Sequence, residues 1–148
     1  DGMLAQEVID QLGAENLGNV TFTTSASDSS TDAFKSWKKH ADAANVPASD
    51  PFVPNSYDAA FLMALAIEKA GSADRSKIAA ALREVANGPG EKIFPGEWKK
   101  AKGIIASGGS IDYVGAAGPQ DFDKNGDVAG LFSKNTVVDG KWEAVVIK

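Results

Sequence analysis

A chain of 148 residues, 43% of them hydrophobic, is long enough to bury a core as one domain. Its net charge of −5 argues against a nucleic-acid partner, because phosphate binding needs a basic face. The lack of cysteine excludes disulfides and thiolate metal sites and leaves the compartment open. The sequence starts at Asp1 with no signal or transit peptide, so an upstream segment is expected to have been removed.

Residues 1–12 read as a short amphipathic helix. Met3, Leu4, Val8 and Leu12 recur at helical spacing, and Gly13 ends the pattern. The β-branched and aromatic run 19–24 reads as a strand, followed by a polar loop over 25–30. A helix over 30–45 places Phe34, Trp37, Ala41 and Ala44 on its apolar stripe. Pro47, Pro51 and Pro54 predict an extended connection through 46–55.

Residues 56–71 are the longest apolar run and the strongest helix signal. Ser56 is expected at its N-cap, Asp58 in its first turn near the positive dipole end, and Gly71 at its stop. Almost nothing between these is polar, so burial on most sides is expected. At about 15 residues it is too short to span a bilayer. A helix over 74–85 follows a brief link and should pack on it as a hairpin.

The remainder reads as a loop over 87–90, a short strand over 92–94, and a helix over 97–106 with Trp98 and Ile104. A strand over 111–114, a small flexible stretch over 115–118 and a turn over 121–127 come next. Two strands, 131–138 and 141–147, close the chain. Asp139-Gly140 between them marks a type I′ hairpin, which needs positive φ at both turn positions.

Several local patterns carry chemistry only in part. Asp121, Asp123, Asn125, Gly126 and Asp127 imitate the first half of a calcium loop, but Phe132 stands where the bidentate Glu would be. No amphipathic helix precedes them, so a polar turn is the favoured reading. His40 is the sole histidine and lies beside Lys38 and Lys39, with no nucleophile or orienting acid nearby in sequence. The glycines of 103–109 fit neither a P-loop nor a dinucleotide fingerprint. Asn19-Val20-Thr21 matches a glycosylation triplet inside a predicted strand, which favours coincidence. Trp37, Trp98 and Trp142 are scattered and expected in cores. Asp1 before Gly2 could receive a ligand ammonium, although a helix cap is the simpler reading.

The order of segments resembles the C-terminal part of the branched-chain amino-acid-binding family. These are Leu/Ile/Val-binding-like periplasmic solute-binding proteins of ABC transporters. The resemblance rests on Tyr57-Asp58-Ala59 with its apolar helix, Glu68-Lys69-Ala70-Gly71, Ile78 to Arg83, Gly115-Ala116-Ala117-Gly118, Phe122 to Asp127, and Val138-Asp139-Gly140-Lys141. It covers nearly the whole chain. It implies an α/β type I periplasmic-binding fold of two Rossmann-like lobes, of which this is the C-terminal part. Residues 1–24 and 131–148 would belong to the C-terminal lobe and 25–130 to the N-terminal lobe, with crossings near 23–27 and 127–133. The apolar helix would then pack on a sheet built mainly from strands upstream of Asp1.

The resemblance implies two ligand-binding positions: Asp1, paired with an α-ammonium, and Phe52, covering the ligand side chain from the other lobe. The hydroxyl and backbone donors for the ligand carboxylate would lie in the missing N-terminal half. The implied function is extracytoplasmic capture of an amino acid or similar small polar ligand between two lobes. The implied partners are that ligand, a membrane permease and the missing half; no nucleic acid, cofactor, metal or enzymatic activity is implied. A sensory receptor domain of the same fold is the alternative. A calcium-dependent interaction module ranks below it, and a standalone enzyme is disfavoured because no nucleophile–base pair or metal cluster can be assembled.

Overall fold

The structure, a computed structural model, describes residues 2–48 and 50–147. They fall into two compact units, one drawn from residues 2–26 and 131–147, the other from the described residues between 27 and 130.

The first unit is a three-stranded antiparallel sheet with a short helix. Helix α1 (Gln6–Leu12) and a 3-10 turn (Ala14–Asn16) precede β1 (Thr21–Ala26), which pairs with β5 (Leu131–Val138). Strand β5 also pairs with β6 (Lys141–Ile147), giving the order β1-β5-β6. The hairpin turn is as expected, with φ of 48° at Asp139 and 74° at Gly140. The first helix is shorter than the 1–12 span expected. Ala5 is extended, and its carbonyl accepts from the Trp142 indole N–H at 3.1 Å, tying the approach to the helix onto the sheet. The Trp142 ring lies 5.3 Å from that of Phe22.

The first strand is also displaced from 19–24. Its bounds follow its partner, from Thr21 opposite Thr136 to Ala26 opposite Leu131. Gly18 and Asn19 form a turn instead, and the Val20 N–H donates to the Leu17 carbonyl at 3.0 Å.

The second unit is helix-rich. Helix α2 (Asp32–Ala43) starts under Thr31, whose hydroxyl accepts from the Phe34 N–H. Helices α3 (Val53–Ala70) and α4 (Arg75–Ala86) pack as the expected hairpin, with Asp74 capping the second. Strand β2 (Glu91–Ile93) leads through α5 (Trp98–Ala106) to the parallel strand β3 (Ile111–Gly115), which pairs with the short antiparallel β4 (Gly118–Pro119). Leu65, Val85, Ile93, Ile111 and Tyr113 meet in the core. Each fully buried aliphatic side chain of this size contributes about 1.5–3 kcal/mol.

Three expectations for the apolar helix are overturned. It begins at Val53, not Ser56, because Pro54 sits in the first turn, where a missing N–H leaves no bond unmade. Residues 53–55 are therefore helical, not extended. Asp58 consequently lies past the first turn, not in it, and is buried, 1% exposed. Within this unit the helix buries one side only. Leu62, Leu65 and Ala66 point into the core, while Met63 and Ile67 are 47% and 45% exposed.

Candidate functional site

Phe52 stands at the N-cap of α3 and is 46% exposed. Its backbone N–H donates to Asp50 Oδ1 at 3.0 Å, which fixes the chain where the proline-rich connection becomes helix. Asp1, the other candidate ligand contact, lies outside the described residues.

Between α2 and the first turns of α3 is an open hollow of about 440 Å³, lined in part by Val53, the residue after Phe52. Trp37, Ala41, Val46 and Val53 give it apolar walls, and His40 and Tyr57 also line it. The Tyr57 hydroxyl accepts from the Gly96 N–H at 3.0 Å, and burial is the main cause raising its pKa above the ordinary phenol value. His40 is exposed, as expected, with its imidazole against Gly96. Walls of this kind suit an apolar group. The hollow was invisible in the sequence because no local motif joins α2 to α3; the only part of it read there was the apolar stripe of α2, which includes Trp37 and Ala41.

Asp58 holds this end of α3 to the sheet. Its carboxylate accepts from the Tyr113 hydroxyl and from the Ala116 and Ala117 N–H groups, each at 2.8 Å. Burial raises its pKa above the ordinary carboxylate value, and the two backbone N–H bonds and the Tyr113 bond oppose the shift. Burial and the adjacent carboxylate push the Tyr113 phenol up in turn. The segment 115–118, expected to be flexible, is thus a tight β3–β4 turn gripped by a buried acid.

The 121–127 turn is satisfied from within. Asp123 Oδ1 accepts from the Asn125 and Asp127 N–H groups, and the Asp127 bond most strongly lowers the Asp123 pKa. Arg83 and Asn87 of the α4 end donate to the carbonyls of Asp123 and Phe122. Among the described residues no group of three acidic, His or Cys side chains could hold a metal ion. No helix there is long and apolar enough to cross a membrane.

This α/β arrangement is part of the type I periplasmic-binding fold, a ligand-binding architecture. The chain belongs to the receptor family ligand binding region, whose sequence profile matches residues 1–133. It is 37% identical over 71 residues to the chemotactic signal transduction system substrate-binding protein BasB of Halobacterium salinarum, which is 48% of this chain and 17% of that one. The crystal structure of the leucine binding protein LivK from Thermotoga maritima superposes with a TM-score of 0.60 at 27% identity. That superposition covers 99% of this chain and 35% of LivK, so the chain spans a minor part of both relatives. The resemblance to a partial branched-chain amino-acid-binding-like protein therefore stands, and both relatives are binding proteins.

Proposed function

We propose that this chain is part of an extracytoplasmic solute-binding protein that captures an amino acid, delivers it to an ABC-transporter permease and performs no chemistry. The observation that carries this is the match to a leucine binding protein across nearly the entire chain. The apolar hollow and the exposed Phe52, which precedes the lining residue Val53 in the chain, support it, since a branched aliphatic side chain needs apolar cover. In this reading Phe52 covers the ligand side chain. Asp1 pairs with its ammonium, which closure would otherwise leave as a buried, unpaired charge.

The division of the chain at residues 26 and 130 supports assigning 25–130 to one lobe and 1–24 with 131–148 to the other. Hinge closure would then select the liganded state. A second reading, a receptor domain that signals rather than imports, is favoured by the likeness to a chemotactic substrate-binding protein.

Calorimetry of the full-length protein against a panel of amino acids tests the ligand class. Saturable binding of Leu, Ile or Val is expected, and no heat from any amino acid would sink the reading. Deletion of the permease gene separates the two roles: lost uptake supports import, whereas intact uptake with lost taxis toward the ligand supports signalling.

A further inference from the structure

We propose that Asn19 is an acceptor for N-linked glycosylation, taking a sugar from a lipid-phosphate-linked donor. Asn19-Val20-Thr21 is the single Asn-X-Ser/Thr triplet in the sequence. A position inside a strand would speak against modification, but β1 starts only at Thr21. Asn19 lies in the turn before it, closed by the Val20 N–H on the Leu17 carbonyl. Both residues that such a transfer reads, Asn19 and Thr21, are exposed, while Val20 between them is half-buried. Asn19 and Thr21 are thus two exposed residues at the junction of this turn with β1, and the carbonyl that closes the turn belongs to Leu17, which is buried. Among the described residues no hydrogen bond occupies the Asn19 side chain.

The chemistry is a group transfer without redox change. Asn19 Nδ2 forms a bond to the anomeric carbon of the sugar, the bond from that carbon to the donor phosphate oxygen breaks, the amide loses one proton, and the lipid phosphate leaves. Strand β1 is an outer strand of the β1-β5-β6 sheet among the described residues. A glycan next to its first residue would hinder pairing by a strand of another chain.

This proposal rests on the extracytoplasmic reading, because lipid-linked sugars are transferred outside the cytoplasm. The test is mass spectrometry of the Asn19 peptide from the full-length protein purified from its own cells, with parallel fractionation. The expected result is a glycan mass on Asn19, abolished by Asn19→Gln and by Thr21→Ala and retained in Thr21→Ser. An exported protein whose Asn19 peptide is entirely unmodified overturns the glycosylation proposal alone. An unmodified protein retained in the cytoplasm overturns the export reading along with it.

Discussion

The carboxylate of Asp58 fills the space that a side chain at residue 115 would need. A Cβ placed on Gly115 would collide with both carboxylate oxygens. Asp58 can reach the Ala116 and Ala117 N–H groups only because the preceding residue is glycine. Gly115→Ala is therefore expected to push the acid out of its seat and orphan two backbone donors. Asp58→Ala removes the acceptor directly, and each should cost about 3 kcal/mol, the upper range for unsatisfied buried donors. Chemical denaturation checks this. Less than about 1 kcal/mol from Asp58→Ala, the net worth of an ordinary hydrogen bond, would show that the network is dispensable.

The same carboxylate gives a pH dependence of definite sign. Burial raises its folded-state pKa above the ordinary 3.8, and the donors from Tyr113, Ala116 and Ala117 include no cation. The folded protein thus holds this proton more tightly than the unfolded chain does. The resulting stabilisation is complete below about pH 4 and is lost as pH rises through the folded pKa. Asp74 and Asp123 act the other way: their pKa values are lowered, so their contribution is present above pH 3.8 and lost as pH falls through the folded values. The stability of wild type relative to Asp58→Asn, which shares the last two groups, should fall from pH 4 toward neutrality. A difference that stays flat or rises would contradict the assignment.

What the sequence disclosed was local, and what it concealed was long-range. The stop at Gly71, the hairpin at Asp139-Gly140 and the α3–α4 pairing each depend on residues within a few positions of one another. Asp58 was misread because its partners lie 55 to 59 residues away, and from the sequence a carboxylate near a helix start looks like a dipole partner. The proline-rich connection was misread because Pro54 is compatible with both an extended chain and a first helical turn. Strand β1 shifted because its ends are set by β5, which follows more than a hundred positions later. At the candidate site, Phe52 was singled out through family resemblance, but the hollow lined by Val53 and Tyr57 required α2 and α3 to be brought together.

Core packing in the helical unit gives a further check. Leu65 is fully buried between α3, α4 and the sheet residues Ile93 and Tyr113. Leu65→Ala should cost about 3 kcal/mol through lost transfer energy and the cavity left behind. Met63→Ala, one face away on the same helix and 47% exposed, should cost well under half as much. Equal losses in thermal denaturation would mean that the exposed face of α3 is covered in the protein tested.

Ligand binding by the full-length protein separates the two proposed contacts. Phe52 is held at the start of α3 by Asp50 and is exposed in this unit, so its ring is free to close over an apolar group. Phe52→Ala should weaken leucine by about tenfold or more, as expected for losing roughly 1.4 kcal/mol of aromatic cover. It should weaken glycine or alanine far less, since these present little side chain to cover. Asp1→Asn should weaken all α-amino ligands alike and by more than tenfold, because the ammonium would lose its counter-charge. Titration calorimetry with leucine and alanine on both variants reads the distinction. A uniform loss in Phe52→Ala would assign the residue to folding of the loop instead of to the ligand side chain. Unchanged affinity in Asp1→Asn would remove that carboxylate from the site.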